Sequence, residues 1–285
     1  MSMKKLILMM MAVFMMQPVM VAKKDQEVKS YDLKVMSYNI RNGKAKDGTN
    51  HWDLRYPATA YMLMDQKPDI FGVQEAYDFQ VKFIAENFRG YGNVGVGRED
   101  GKSKNEHMSI FWNKKSVKLL KWGTFWLSET PEVPSKGWDS NYFRTATWAL
   151  MKDKKTGKKF YFVNTHLDHK GREAQKNGLK LIIDRIASIN PEGYPMILTG
   201  DFNVKPDDSV LTDLDKIMQC TRKVALVTDN HNTFNGWGKA KSDSVIDYIY
   251  FSGFSRCVEY QTVTKEYGGR KFISDHFPIV STLVF

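Results

Sequence analysis

The clearest chemical signal in the sequence is the segment Gly-Asp-Phe-Asn at residues 200–203. Asp201 and Asn203 are two residues apart, so in an extended chain their side chains lie on one side and Phe202 lies on the other. A carboxylate beside a carboxamide forms an oxygen-rich pocket that can orient a water molecule or bind a phosphate oxygen. Asp275 and His276 are adjacent, so both can serve one site only where a strand begins.

Other polar residues stand where strand-like runs end or begin. Asn39 ends the first run, Glu75 follows the second and His166 follows a later one. Asp247 opens another run, as Asp201 closes one. Residues at strand ends lie on the rim of a layered sheet, where a scaffold normally displays a binding site. We therefore expect these side chains to converge on one site.

Any metal at this site would be bound by oxygen or imidazole ligands. Glu75, with Asn39 and Asp275 nearby, offers hard oxygen atoms that suit Mg²⁺, with Mn²⁺ as a substitute. Mg²⁺ usually keeps several waters and takes only one or two protein carboxylates. Cys220 and Cys257 are the only cysteines, so a cysteine-built zinc site is excluded. Whether these two thiols form a disulfide in an oxidising compartment is left open by the sequence.

These side chains need a scaffold, and strand-like runs are frequent. Runs rich in Val, Ile, Phe, Tyr and Trp, with turn residues between them, are Leu33–Ile40, Asp69–Gln74, Ser109–Trp112, Thr145–Met151, Phe160–Thr165, Met196–Thr199, Val245–Phe251 and Ile279–Phe285. Apolar residues spaced three to four apart predict helices at Pro57–Asp65, Asp78–Asn87, Arg172–Ile189 and Ser209–Met218. An early β-α-β succession followed by hairpins predicts two sheets packed together and covered by helices.

The composition is that of an ordinary globular protein. Of 285 residues, 42% are hydrophobic and 26% are charged, which excludes a collagen-like, low-complexity or disordered chain. Residues 23–285 contain no Pro/Gly/Ser-rich linker, internal repeat or composition break, so we predict that they form a single domain. We expect this domain to be a monomer.

The first 22 residues form a separate segment. Lys4 and Lys5 precede an apolar run, Leu6–Met16, and the segment closes on Val21 and Ala22. This pattern predicts a secretory signal peptide over residues 1–22, cleaved near Ala22 to give a secreted or periplasmic protein. A retained membrane anchor is the alternative, but the run is shorter than the ~20 residues that span a bilayer. Without the two lysines the net charge falls from +10 to +8, which suits anionic partners.

Six short motifs follow one another in an order that resembles a known superfamily. They are Tyr38-Asn39, Gln74-Glu75, Asn164-Thr165-His166, Gly200-Asp201-Phe202-Asn203, Asp247-Tyr248 and Ser274-Asp275-His276. Together they resemble the endonuclease/exonuclease/phosphatase superfamily, the pancreatic-DNase-like phosphoesterases. Phe125–Pro131, the Gly-Trp-Asp segment at 137–139 and Arg144 are similar to a secreted bacterial branch related to deadenylase and nocturnin-type members. The resemblance implies an α+β fold, a four-layered α/β/β/α sandwich of two mainly antiparallel sheets, with divalent-metal-dependent hydrolysis of phosphate esters.

Phosphate ester hydrolysis needs charge neutralisation, an oriented water and help for the departing oxygen. Asp201 is the candidate for orienting or deprotonating that water, and Asn203 is the candidate for holding the water or a phosphate oxygen. His166 and His276 can donate hydrogen bonds to the non-bridging oxygens. These residue types support the metal-dependent phosphoric ester hydrolase that the resemblance implies.

The resemblance also implies partners for the two imidazoles. Asp247 would orient His276, and Glu106 would orient His166. In the family an Ala-Arg pair usually follows the histidine motif, whereas here Arg172 opens the segment Arg-Glu-Ala-Gln. Arg172 is therefore the candidate to bind phosphate in place of the family's arginine.

One loop and the net charge indicate the substrate. Phe234 and Trp237 lie in a loop containing Asn and Gly and would be costly to expose without a partner, so they can stack on bases. With a charge of +8 and no membrane-inserting hairpin, this favours a phosphodiester in nucleic acid and no stable membrane insertion. A sphingomyelinase-like lipid, an inositol phosphate or a sugar phosphate is the alternative substrate. A catalytically inactive nucleic-acid or glycan binder is the alternative outside enzymes. The sequence shows no dense Arg/Lys cluster beside a motif that would bind a multiply phosphorylated ligand.

Overall fold

The structure is a computed structural model, and it describes residues 32–285. The predicted signal peptide, residues 1–22, lies outside the described residues. Within the described range no helix is both long enough and apolar enough to cross a membrane. Cys220 and Cys257 are buried free thiols.

Strands dominate the part of the chain that the structure describes. In chain order they are β1 (Asp32–Asn39), β2 (Ile70–Gln74), β3 (Ala76–Tyr77), β4 (Tyr91–Val94), β5 (Glu106–His107), β6 (Ile110–Asn113), β7 (Val117–Trp126), β8 (Thr145–Asp153), β9 (Lys159–His166), β10 (Met196–Asp201), β11 (Gln219–Cys220), β12 (Asp247–Ser252), β13 (Arg256–Thr262) and β14 (Ile279–Val284). The α-helices are α1 (Trp52–Gln66), α2 (Asp78–Asn87), α3 (Arg172–Ile189), α4 (Thr212–Ile217) and α5 (Thr221–Val224).

Two six-stranded sheets form the centre of the fold. Their strand orders are β13-β14-β1-β2-β6-β4 and β11-β12-β10-β9-β8-β7, and β3 pairs with β5 in a small third sheet. The pairs β1 with β2 and β9 with β10 are parallel, and the other pairings within the two large sheets are antiparallel. The predicted α+β class with two mainly antiparallel sheets is confirmed.

Three apolar cores separate the layers of this sandwich. The core between the sheets contains Val35 of β1 and Phe162 of β9. Successive side chains of a strand point to opposite faces, so the next residues, Met36 and Val163, lie in different cores. Met36 packs in the core shared with α1 and α2, and Val163 packs in the core shared with α3. Central strands are therefore buried on both faces, which explains their continuous apolar sequences.

Some elements differ from the sequence prediction. The strands β7 and β13 were not predicted, and both lie at the edge of a sheet. Along β7 the side chains of Lys118 and Trp122 are exposed, so the strand lacks a continuous apolar run. The helices α2 and α3 are confirmed. By contrast, α1 begins at Trp52 instead of Pro57, and the segment Ser209–Met218 forms a 3₁₀ turn followed by α4.

The strand register brings the predicted site residues to one edge of the sandwich. Asn39, at the end of β1, pairs with the residue before Glu75 at the end of β2. In the second sheet, Asp201 at the end of β10 pairs with His166 of β9 and with Asp247 of β12. Because parallel neighbours end on the same side of a sheet, their terminal side chains lie around one opening.

Candidate active site

A cavity of about 660 Å³ opens at this edge and is lined by residues from both sheets. Most of the predicted site residues line it, namely Glu75, Glu106, His166, Asp201, Asn203, Phe234, Asp275 and His276. Asn39 and Asp247 are buried beside it, and each hydrogen-bonds a lining residue. The predicted residues Arg172 and Trp237 are not part of the lining.

Glu75 occupies the left-handed region of backbone space, with φ of 62°. A non-glycine residue rarely adopts this conformation, and such residues cluster at functional sites. Its Oε1 accepts a hydrogen bond from Asn39 Nδ2 at 3.1 Å, and its Oε2 accepts one from the Asn42 backbone N–H at 2.9 Å. Burial opposes the charged form, but His276, the Asn42 N–H and Arg41 outweigh it and lower the pKa of Glu75. Glu75 is therefore an ionised carboxylate held in one orientation.

Asp201 is a buried carboxylate at the end of β10. Its Oδ1 accepts a hydrogen bond from the Asn203 backbone N–H, and its Oδ2 accepts one from Asn39 Nδ2, both at 3.0 Å. Burial, reinforced by the nearby charge of Asp247, raises the pKa of Asp201 to about 7. A carboxylate whose pKa lies near neutrality is suited to take a proton from water.

The predicted contact between Asp247 and His276 is present. Asp247 Oδ2 and His276 Nδ1 are 2.8 Å apart, and the other ring nitrogen of His276 lies 3.7 Å from Asp201 Oδ2. Burial opposes protonation, but Asp247 and Asp201 outweigh it and raise the pKa of His276 to about 10. His276 is therefore an imidazolium at neutral pH, and its Nε2 can donate a hydrogen bond to an anionic oxygen.

His166, at the end of β9, is a neutral imidazole, in contrast to His276. Asn203 Nδ2 lies 3.0 Å from His166 Nε2, and Asp201 Oδ2 lies 3.4 Å from the same nitrogen. Burial, together with the positive charges of Arg144 and Arg98, lowers the pKa of His166 well below its usual range. The site therefore combines a neutral imidazole with a charged one.

The predicted contact between Glu106 and His166 is wrong, because His166 Nδ1 has no hydrogen-bond partner within residues 32–285 and His166 Nε2 contacts Asn203 and Asp201. Glu106 lies on β5, which pairs with β3, and its Oε2 is 2.5 Å from Arg98 Nη1. Asn42 Nδ2 donates to Glu106 Oε1 over 3.4 Å. Burial raises the pKa of Glu106 to about 7, although Arg98 opposes the rise. Glu106 therefore fixes a guanidinium instead of an imidazole.

The aromatic loop and Arg172 are also placed differently from the prediction. Phe234 lines the cavity, and its ring meets the His276 ring edge-on with centroids 5.0 Å apart. Trp237 lies outside the cavity lining, with the guanidinium of Arg55 5.8 Å from its ring. Arg172 is half-exposed at the start of α3 and pairs with a carboxylate that is also outside the lining. The cavity therefore lacks a two-ring stacking platform, and Arg172 does not line it.

Three arginines that were not predicted as site residues line the cavity, namely Arg41, Arg98 and Arg144. Arg41 Nη1 lies 3.3 Å from Asp275 Oδ2. The three come from segments far apart in the sequence, so no local cluster of basic residues marks them. The sequence shows no dense Arg/Lys cluster beside a motif, and the three arginines come together only in the folded chain. For Arg41 a signal exists, because it follows Asn39 by two residues at a strand end.

The carboxylates of the cavity fit a hard divalent cation. Ligand atoms of Glu75, His166 and Asp201 lie within 4.8 Å of one another. Asp275 is buried nearby, and burial, with the Glu75 charge adding to it, raises the pKa of Asp275. A bound cation offsets the repulsion between neighbouring carboxylates, and Mg²⁺ prefers oxygen ligands. Asn39 donates through its amide nitrogen to both Glu75 and Asp201, and so holds the two carboxylates together.

Two stacked sheets that present buried carboxylates and histidines to one cavity, together with the family match over most of the chain, identify a metal-dependent phosphoric ester hydrolase with a DNase-like fold. Residues 36–276 match the Endonuclease/Exonuclease/phosphatase family. The chain belongs to this family. The predicted family and enzyme class are therefore confirmed.

The chain is similar to proteins from bacteria and from a virus. An endonuclease/exonuclease/phosphatase family protein from Bacteroides thetaiotaomicron is 36% identical, with a TM-score of 0.85 over 90% of this chain and 98% of that one. The mannosyl-6-phosphatase of Bacteroides thetaiotaomicron VPI-5482 is 36% identical, with a TM-score of 0.84 over 89% of this chain and 100% of that one. An uncharacterized protein of Acanthamoeba polyphaga mimivirus is 26% identical over 87% of this chain and 98% of its own length.

Proposed function

We propose that this protein is a phosphomonoesterase that removes phosphate from a phosphorylated sugar. The observation that carries the proposal is a single cavity in which three arginines stand beside the carboxylates and imidazoles. A phosphomonoester carries nearly two negative charges at neutral pH, and its phosphate is a chain end that can enter a cavity. The volume of about 660 Å³ is typical of small-molecule sites. The similarity to a mannosyl-6-phosphatase supports the same substrate class.

A nucleic-acid phosphodiester, which the sequence favours, is the second candidate. Its structural support is the ring of Phe234 in the cavity wall. Only one of the two predicted stacking rings lines the cavity, because Trp237 lies outside it. Proteins that bind single-stranded nucleic acid stack successive bases on several rings along a basic groove. Sphingomyelin-like lipids and inositol phosphates are further alternatives for the same test. Export with cleavage near Ala22, a monomeric state and the absence of stable membrane insertion stay predictions.

Different residues of the site carry out proton transfer, phosphate binding and cation binding. Asp201 takes the proton from a water molecule that attacks phosphorus, and the imidazolium of His276 donates to a non-bridging oxygen. The bond between phosphorus and the ester oxygen then breaks, the departing sugar oxygen takes up a proton from solvent, and Asp201 releases its proton to solvent, which gives the free sugar and inorganic phosphate. A divalent cation held by Glu75, with Asn39 and Asp275 as further candidate ligands, would neutralise phosphate charge and stabilise the departing oxygen. We propose Mg²⁺ for this role, with Mn²⁺ as a substitute.

The test is a substrate panel measured with Mg²⁺. It contains mannose 6-phosphate, glucose 6-phosphate, inositol 1-phosphate, bis-p-nitrophenyl phosphate, sphingomyelin, and RNA and DNA oligonucleotides. We expect kcat/KM for a sugar phosphate to exceed that for every diester by at least about tenfold, which corresponds to ~1.4 kcal/mol of transition-state stabilisation. Asp201→Asn from the same purification is the control for a contaminating phosphatase. Faster hydrolysis of an oligonucleotide or of sphingomyelin would overturn the proposal.

A further inference from the structure

Arg98 and Arg144 form one side of the cavity, which we call the arginine wall. Their guanidiniums lie 5.1 and 5.8 Å from the centroid of the Tyr142 ring, and the two side chains are only 6% and 5% exposed. His169 stacks on the same ring, with centroids 5.7 Å apart. All four residues line the cavity. Burying two positive charges is costly unless partners compensate them.

Each arginine is paired with a carboxylate that fixes its position. Arg98 Nη1 lies 2.5 Å from Glu106 Oε2, and Arg144 Nε lies 3.4 Å from Asp168 Oδ2. The other oxygen of Asp168 accepts two backbone N–H groups of the turn that follows it. Within residues 32–285, Arg144 Nη1 has no hydrogen-bond partner. A guanidinium has five donors, so Arg144 retains capacity for an acceptor that the described protein does not supply.

The arginine wall lies close to the groups that act on phosphate. After burial, the charges of Arg144 and Arg98 are the main causes that lower the pKa of His166. Burial lowers the pKa of Arg144, and the charge of Asp201 is among those that oppose this shift. His166 Nε2 lies 3.4 Å from Asp201 Oδ2. A phosphate held beside them therefore lies in the positive field of both arginines.

We propose that the arginine wall makes the site prefer phosphomonoesters over phosphodiesters. This inference rests on the proposed function and deepens it. A monoester offers three terminal oxygens and nearly two negative charges, whereas a diester offers two such oxygens and one charge. The guanidiniums stabilise the second charge and donate to the third oxygen. A diester replaces that oxygen by an ester group, which leaves buried donors without an acceptor.

The test compares p-nitrophenyl phosphate with bis-p-nitrophenyl phosphate, because the two substrates share a leaving group. In Arg144→Gln we expect the ratio of kcat/KM for the monoester to kcat/KM for the diester to fall at least about tenfold. The inhibition constant of inorganic phosphate should rise by a similar factor, since the dianion uses the same donors. Arg144→Lys keeps the charge and should recover part of the ratio.

Arg185→Gln is the matched control for these variants. Arg185 also pairs with a carboxylate, Glu132, and lies over an aromatic ring, that of Phe125, but it is not part of the cavity lining. We expect this variant to keep the wild-type ratio. A loss of selectivity in Arg185→Gln equal to that in Arg144→Gln would overturn the inference, because the effect would then not come from the cavity.

A second variant tests the same inference if Arg144→Gln does not fold. Arg98→Gln combined with Glu106→Gln removes a buried ion pair as a unit and leaves no unpaired charge, so it should fold and lower the same ratio. Equal losses on both substrates in the folded variants, confirmed by circular dichroism, would overturn the inference. The proposed function fails separately, when the wild-type protein hydrolyses diesters faster than sugar phosphates. In either case, the change between wild type and variant in the ratio of monoester to diester kcat/KM tests the role of the arginine wall.

Discussion

Asp201→Asn is expected to lower kcat for a phosphomonoester at least about a hundredfold, the usual scale for losing general-base help. Asp201 is buried, and hydrogen bonds from the Asn203 N–H and from Asn39 Nδ2 hold its two oxygens. Its raised pKa, about 7, makes it a proton acceptor near neutral pH. Asparagine has nearly the same shape but cannot take the proton, so the attacking water loses its base. The measurement is kcat at saturating substrate and Mg²⁺.

High Mg²⁺ should not rescue Asp201→Asn, because the variant loses proton transfer and not metal affinity. Asp213→Asn is the matched control, since Asp213 is an exposed carboxylate paired with Lys216 at 2.7 Å. We expect this control to keep the wild-type kcat. A kcat for Asp201→Asn within about threefold of wild type would show that Asp201 is not the base. Full recovery at high Mg²⁺ would instead assign Asp201 to metal binding.

Glu75→Gln is expected to raise the Mg²⁺ concentration that gives half-maximal activity at least about tenfold, the scale for weakening a metal site. Glu75 is ionised, and its oxygens are fixed by Asn39 Nδ2 and the Asn42 N–H. A neutral carboxamide at this position attracts the cation less strongly. Saturating Mg²⁺ should therefore restore part of kcat. The measurement is a Mg²⁺ titration of initial rates on the metal-free variant and on wild type.

The control for this titration is Glu132→Gln, because Glu132 is an exposed carboxylate paired with Arg185. It should show the wild-type Mg²⁺ dependence. An unchanged half-maximal Mg²⁺ concentration in Glu75→Gln would remove Glu75 from the metal site. Equal rescue of Glu75→Gln and Asp201→Asn would show that metal binding and proton transfer are not divided between the two carboxylates.

The convergence of the site could be predicted because strand ends are visible in the sequence. Runs that are buried on both faces mark β2, β9 and β10 by continuous apolar residues. Polar residues directly after such runs lie at the rim of the sheet. The register then places Asp201 beside both His166 and Asp247, as the pattern indicated. The partner of His276 followed from the family resemblance, and the contact with Asp247 is present.

The arginine wall could not be predicted in the same way. Arg98 meets Glu106 through a backbone hydrogen bond from the Arg98 N–H to the Glu106 carbonyl oxygen at 3.0 Å, and the strand that holds Glu106, β5, has two residues and is too short to show a periodic pattern. Arg144 precedes β8 and meets Asp168, which follows β9, only when these two strands pair. Long-range pairing of this kind has no signature in the local sequence.

The orientation of the aromatic loop also depends on tertiary contacts. The backbone of Phe234 pairs with that of His276, which brings the Phe234 ring to the cavity. The side chain of Asn235 accepts a hydrogen bond from the Trp237 N–H and turns the chain there, with φ of 60° at Trp237. The sequence shows two rings three residues apart, but only the folded loop distinguishes the one that reaches the site.

The most direct test of the central claim is the release of inorganic phosphate from mannose 6-phosphate by the wild-type protein before and after metal removal. We expect turnover with Mg²⁺, a loss of at least about a hundredfold in excess EDTA, and recovery when Mg²⁺ is added back. Mn²⁺ should substitute for Mg²⁺ in the recovery. Unchanged turnover in excess EDTA, or no phosphate release from this or any other phosphoester at any Mg²⁺ concentration, would contradict a metal-dependent hydrolytic site built on Glu75 and Asp201.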